Sequence, residues 1–230
     1  MHWRVIPFTL GEPAWNMALD EAILESFIAG QAPATLRFYG WSQPAVTIGR
    51  LQAIASVPEG WGRPIIRRPT GGRAVLHGGD LTFSFVVSAA VLGSRVLESY
   101  RRLGQVVARA LVALGVPAEL CEKTADPSSI RKTGNCFDLT LEYELAVRGR
   151  KVLGSAQVRR SGAVLQQNSL ARPPVGPWPA REELVKAICA AVEAEFDVKL
   201  SCGEPSPAEL RVARELADNK YASDSWNALR

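Results

Sequence analysis

The chain has 230 residues, 47% of them hydrophobic and 22% charged, with a formal net charge of +4. This is globular composition: it excludes a disordered chain and leaves room for a real core. The surplus of 27 basic over 23 acidic residues is small. With no nucleic-acid-binding motif, it argues against a nucleic-acid partner.

In chain order, residues 3–8 read as a first strand. Gly11-Glu-Pro13 then opens a helix with Pro at its first position, Met17, Leu19, Ile23, Leu24 and Ile28 as its apolar residues, and Gly30 as its end. Asn16, Asp20 and Glu21 are expected on the solvated or capping face of this helix. Residues 35–39 and 46–48 read as strands around a hairpin-like loop, 40–44. Strand 65–68 runs into Pro69-Thr-Gly-Gly72, and strands 73–77 and 81–88 flank Gly78-Gly79-Asp80. The run around 81–94 is too short, and too rich in Ser and Thr, to span a bilayer.

Ser94 is expected to cap a helix carrying Val96, Tyr100, Leu103, Val107, Leu111 and Leu114, closed by Gly115. A short strand over 117–121 precedes a polar loop, 122–134, that delivers Cys136. Residues 143–147, 150–159 and 163–170 read as a meander, followed by a stiff Pro-rich linker, 173–179. Two helices follow, one marked by Leu184, Ile188, Val192 and Phe196, the other opened by the capping box Ser206-Pro-Ala-Glu209. The tail, with Tyr221 and Trp226, is expected to dock back on the body. Strands interrupted by a few helices, without βαβ alternation, indicate α+β. We expect one domain over 1–230, with 180–230 a helical part docked on it.

The four cysteines, Cys121, Cys136, Cys189 and Cys202, form no C-x-x-C pair, which argues against zinc and against a disulfide framework. The opening Met1-His-Trp-Arg-Val-Ile lacks the features of a signal peptide, so a cytoplasmic, reduced setting is expected. Cys121 and Cys189 sit in apolar patterns that fit inert thiols. Cys136 differs. It lies in a Gly134-Asn135 bend, and a hairpin with Arg148, Arg150, Lys151, Arg159 and Arg160 follows it. Cationic neighbours favour a thiolate, so Cys136 is a candidate nucleophile and Lys151 its candidate activator; an inert buried thiol is the alternative.

The second motif runs from Arg67 to His77: Arg-Arg-Pro-Thr-Gly-Gly-Arg-Ala-Val-Leu-His. It is not a phosphate-binding P-loop, which needs Gly-Lys-Ser/Thr. Its arginines can grip a phosphate or carboxylate, and Ala74, Val75 and Leu76 can line a slot for a hydrocarbon chain. His77 is either a hydrogen-bonded structural histidine or the partner of Cys136 in a Cys-His dyad.

These segments carry a resemblance. The motifs are Trp-Asn-Met-Ala-Leu-Asp-Glu at 15–21, Leu-Arg-Phe-Tyr-Gly-Trp at 36–41, Arg-Arg-Pro-Thr-Gly-Gly at 67–72 with His77, Cys-Phe-Asp at 136–138, Gly-Arg-Lys-Val-Leu-Gly-Ser-Ala-Gln at 149–157, and the tail 220–227. Together they resemble the biotin/lipoate A/B protein ligase family, most closely its cysteine-dependent octanoyltransferases of lipoate assembly. Cys136 carries that distinction, since Asn-Asp tends to stand at its place in the ATP-using lipoate ligases. The similar transferases are somewhat longer between the meander and the last helices.

The resemblance implies a mainly antiparallel mixed sheet packed by helices, in the manner of class II aminoacyl-tRNA synthetases and biotin protein ligases, with a small C-terminal unit. It implies Cys136 as acyl-thioester nucleophile and Lys151 as the residue that activates it. Arg68, Thr70, Gly71, Gly72, Ala74, His77, Gly154, Ser155 and Ala156 would bind substrate, with no metal and no other cofactor. The implied donor is octanoyl-acyl carrier protein. The acceptor is a lysine of a lipoyl domain or of the glycine-cleavage H protein, and the enzyme is a monomer with no membrane or nucleic-acid partner. The alternatives are an ATP-dependent lipoate ligase, a lipoyl-domain amidotransferase with the same Cys/Lys chemistry, and a non-catalytic lipoyl-domain binding module.

Overall fold

The computed structural model describes residues 1–62, 64–121, 135–138, 144–173 and 176–229. The polar loop expected over 122–134, and residue 143 of the expected meander, lie outside the described residues. The strands are β1 (His2–Gly11), β2 (Thr35–Trp41), β3 (Ala45–Ile48), β4 (Ile65–Arg67), β5 (Val75–His77), β6 (Leu81–Ser88), β7 (Ala118–Leu120), β8 (Leu145–Val147), β9 (Arg150–Lys151), β10 (Leu153–Arg160), β11 (Ala163–Leu170) and β12 (Lys199–Cys202). The helices are α1 (Pro13–Ile28), the single turn α2 (Ala89–Leu92), α3 (Val96–Ala113), α4 (Arg181–Phe196), α5 (Pro207–Leu216) and the short α6 (Asp224–Asn227).

The main sheet has six strands in the order β10-β11-β6-β2-β1-β12. It is antiparallel from β10 to β2 and parallel from β2 through β1 to β12. Side chains alternate across a strand, and here both faces are covered. Leu36, Phe38, Phe83, Phe85 and Val87 point into one core with Leu103, Val107 and Leu111 of α3 and Ile188 and Val192 of α4. Tyr39, Trp41, Val86 and Leu165 point into a second core with Met17, Ile23 and Leu24 of α1, Ala213 of α5 and Tyr221. The α+β, mainly antiparallel architecture agrees with the expected class. Among the described residues, no helix is long and apolar enough to cross a membrane.

Helix α1 opens at Pro13, and Gly30 follows its end at φ 71°, a left-handed conformation that glycine adopts cheaply. The expected solvated face is wrong. Asn16 and Asp20 are 0% exposed and Glu21 is 4% exposed. The helix lies between the sheet and the α5/tail layer, so it has no free face, and its polar residues need partners inside the protein.

Three other expectations change. Residues 40–44 do not close a hairpin: β3 leaves the main sheet and pairs with β4 (parallel) and β5 (antiparallel). Ser94 does not cap α3; Arg95 is the N-cap, without a side-chain bond, and the Ser94 carbonyl accepts from Arg159 instead. The expected strand 150–159 is broken at Val152, so β9 joins a small antiparallel sheet with β7 and β8 while β10 joins the main sheet. Strand β12, four mostly exposed residues of Lys-Leu-Ser-Cys, gave no signal; it forms because β1 offers it an edge. The capping box at Ser206 is present in both halves, Glu209 N–H to Ser206 Oγ and Ser206 N–H to Glu209 Oε2.

Candidate active site

The break at Val152 builds the site. It puts Lys151 on the small sheet and Gly154 on the large one, and Cys136 meets both. Cys136 begins a single 3-10 turn, Cys136–Asp138. Its backbone N–H donates to the Ala74 carbonyl at 2.8 Å, and Phe137 N–H donates to Asn135 Oδ1 at 3.1 Å. The turn is therefore pinned to the strand end that follows the Gly-Gly motif. Both amides are occupied, which removes them as donors to a developing oxyanion.

Lys151 Nζ lies 3.5 Å from Cys136 Sγ and 2.6 Å from the Cys136 carbonyl oxygen. Its side chain is only 2% exposed, and a carboxylate accompanies it: Nζ donates to Glu144 Oε1 at 2.6 Å. Nζ also stands 5.7 Å from the centre of the Phe137 ring. On β10, a Cβ at Gly154 would come within 3.3 Å of Cys136 Sγ and 3.5 Å of the Phe137 ring. Glycine is what lets the sulfur sit against the sheet. Burial pushes the Cys189 thiol up to about 11 and raises that of Cys121.

Cys136 lines a narrow, mostly apolar cavity. Gly72, Val75, Gly154, Ser155 and Ala156 line it near the sulfur's neighbours, and Arg68 and His77 line it as well. Of the sequence-predicted residues, Thr70, Gly71 and Ala74 do not line it; they hold what does. Thr70 Oγ1 donates to Gln167 Oε1 at 2.8 Å, the Gly71 carbonyl accepts from Arg68 at 2.7 Å, and the Ala74 carbonyl holds Cys136. Val75 fits the expected apolar slot, but Ala74 is buried with Val46 and Ile48, and Leu76 is 47% exposed on the opposite side of β5.

Arg67 and Arg68 commit their guanidinium donors to holding the fold. Arg68 donates to the Thr47 carbonyl and hydroxyl and to the carbonyls of Gly71 and Arg73, at 2.7–3.0 Å. Burial pulls its guanidinium down to about 10, and the neighbouring Cys136 pulls it back up. Arg67, 0% exposed, donates to the carbonyls of Gly49, Arg50, Gln52, Trp226 and Asn227. Gly72 has φ 88°, and a Cβ there would meet Arg68 Nη2 at 3.2 Å, so both glycine and the arginine fork shape this loop.

His77 is held at both ring nitrogens, 2.8 Å from Thr47 Oγ1 and 2.8 Å from Asp80 Oδ2, and it stacks on Trp41 at 4.0 Å. It makes no dyad with Cys136. Burial raises the Asp80 carboxyl, but His77 and the hydroxyls of Ser169 and Thr82 outweigh this and hold it well below the usual carboxylate range. Among the described residues, no group of three or more His, Cys, Asp or Glu is arranged for a metal ion.

The sequence reading missed most of the far wall, which includes Met17, Tyr39, Trp41, Thr82, Gln167 and Asn168. Behind it, Asp20 accepts from Arg37, Ser84, Tyr39 and Gln167 at 2.7–2.9 Å. Glu144 was also missed, although it is the one acidic residue of the 143–147 run that precedes the basic turn.

The comparisons with known proteins follow the same lines. The sequence profile described as the lipoyl protein ligase A/B catalytic domain matches residues 12–173. The chain is 34% identical to Octanoyltransferase LipM of Symbiobacterium thermophilum over 269 aligned positions, covering 98% of each chain. It is 34% identical to Octanoyltransferase LipM of Anoxybacillus flavithermus over 274 positions, covering 99% of this chain and 98% of that one. Among solved structures, it is similar to protein Ta0514 of T. acidophilum with bound lipoic acid, at a TM-score of 0.81 and 26% identity over 99% of this chain and 100% of that one. It is also similar to a lipoate-protein ligase A bound with ATP, at a TM-score of 0.82 and 25% identity over 99% of both chains.

Proposed function

The chain belongs to the lipoyl protein ligase A/B catalytic domain family, and from that premise we propose an octanoyltransferase of protein lipoylation whose nucleophile is Cys136. The observation that carries this reading is the meeting of Lys151 Nζ and Cys136 Sγ at 3.5 Å beside the cavity. The names of its full-length relatives support the same activity.

The donor is an octanoyl thioester on an acyl carrier protein. Thiolate Cys136 attacks the carbonyl carbon, the carbon–sulfur bond to the carrier breaks, and the departing carrier sulfur takes a proton from the Lys151 ammonium. Octanoyl-S-Cys136 remains, with its chain along the cavity past Val75 and Ala156. A lysine ammonium of a lipoyl domain, or of the glycine-cleavage H protein, then gives one proton to Lys151 Nζ, and its amine attacks the thioester. Amide forms, Cys136 leaves as thiolate, and the second amine proton goes to solvent. Splitting the transfer lets two protein partners use the site in turn. The thioester is already activated, so the chemistry needs neither nucleotide nor metal. The chain works as one domain, residues 180–230 docked on the rest, as a cytoplasmic monomer.

Purified protein mixed with octanoyl-carrier, ATP omitted, gains one octanoyl mass that hydroxylamine removes. Cys136→Ser abolishes the adduct, and an adduct that persists on Cys121, Cys189 or Cys202 rejects the assignment. The second reading is an ATP-dependent lipoate ligase, favoured by the likeness to a ligase solved with ATP. Pyrophosphate release from ATP with free octanoate or lipoate would establish it. Against it stands Arg67, whose guanidinium is already enclosed by five backbone carbonyls.

A further inference from the structure

We infer that Glu144 is a positioning residue for the second half-reaction: it holds Lys151 Nζ against Cys136 and supplies the counter-charge for the proton that Nζ receives from the acceptor lysine. This rests on the Cys136/Lys151 reading above and deepens it. Glu144 Oε1 is 2.6 Å from Lys151 Nζ, and the Glu144 side chain is 14% exposed beside a lysine that is 2% exposed. Its main chain is held, since the Glu144 carbonyl accepts from Cys121 N–H at 2.9 Å just before β8, the strand that pairs with β9. The main chain that carries the carboxylate is thus tied to the small sheet, and its side chain reaches Nζ from there.

The need for it arises only after Cys136 is acylated. In the resting site, a thiolate and a carboxylate both face the ammonium. Once the carrier thiol has left with a proton from Nζ, the sulfur is a neutral thioester and no longer attracts charge. The acceptor arrives as an ammonium of ordinary lysine basicity, and a desolvated amine on its own is a poor place to put that proton. A carboxylate in contact with Nζ compensates the positive charge as it forms, and returns the site to its starting protonation when Sγ departs.

The test separates the half-reactions. Glu144→Gln keeps an oxygen acceptor and removes the charge. With octanoyl-carrier, the variant should load Cys136 at a rate within about threefold of the unmodified protein, read by intact mass. Transfer from the loaded enzyme to a lipoyl domain should fall at least about tenfold, less than the roughly 10²–10⁴-fold that a positioned acid or base contributes, because Nζ itself is kept. Cleavage of the loaded enzyme by hydroxylamine, an amine already neutral at pH 7, should be unchanged. Equal slowing by lipoyl domain and hydroxylamine would mean a merely structural role, and an undiminished transfer rate would mean none; either overturns the inference. If the unmodified protein never loads Cys136, the underlying assignment has failed instead, and the two failures are told apart.

Discussion

Cys136 Sγ rests against the one position of β10 where no side chain stands: a Cβ at Gly154 would lie 3.3 Å from it. That distance is tighter than ordinary van der Waals contact, so even a methyl group forces the sulfur or the Phe137 ring to give way. Gly154→Val should lower octanoyl transfer by about a hundredfold, the order expected when a reacting atom is displaced by about 1 Å. Overpacking of this kind costs about 1–3 kcal/mol, so the variant should remain folded at 25 °C, and activity is compared there. Full activity in Gly154→Val would show that the sulfur need not sit there.

Lys151 Nζ lies 3.5 Å from the sulfur, and thiolate chemistry reports it directly. Lys151→Ala should slow alkylation of Cys136 by iodoacetamide at pH 7 at least about tenfold, followed by peptide mass. An unchanged rate would remove Lys151 from its role.

Behind the cavity, Arg37 and Asp20 form an ion pair at 2.7 Å with side chains 1% and 0% exposed. Breaking such a pair from one side leaves an uncompensated buried charge and costs about 3–5 kcal/mol. Asp20→Ala also strands Tyr39, Ser84 and Gln167. Urea unfolding should show a loss of that size; a loss below about 1 kcal/mol would mean that water replaces the carboxylate.

Asp80 supplies a pH dependence. Its folded carboxyl titrates below the unfolded value of about 3.9. The stability it contributes is therefore complete above about pH 4 and is lost as pH falls through the folded value. Asp80→Asn should be less stable than the unmodified protein at pH 7, and the gap should narrow steadily below about pH 4. A gap independent of pH would show that the charge is not what matters.

What local chemistry dictates was legible in the chain. Pro13 and Gly30 mark the ends of α1, Ser206 and Glu209 build their capping box, and Leu184, Ile188, Val192 and Phe196 form the buried stripe of α4. Cys136 and Lys151 stood out in the chain as candidates, and the fold brings Sγ and Nζ to 3.5 Å. Turn propensity and periodicity act over a few residues, and these features need nothing more.

The rest depended on which surfaces meet. Nothing in residues 13–28 says that Asp20 will be enclosed, because enclosure comes from Gln167 and Arg37, far away in sequence. Residues 40–44 were read as a hairpin because turn residues show only that the chain bends; pairing energy with β4 and β5 sent β3 to another sheet. Arg67 and Arg68 carry the same charge in sequence whether they grip a ligand or a ring of carbonyls. By itself, the sequence determined the local elements and named the candidate residue types. Only the tertiary structure decided which polar groups were spent on holding the fold and which were left facing the cavity, because a buried donor takes whatever acceptor folding brings within reach.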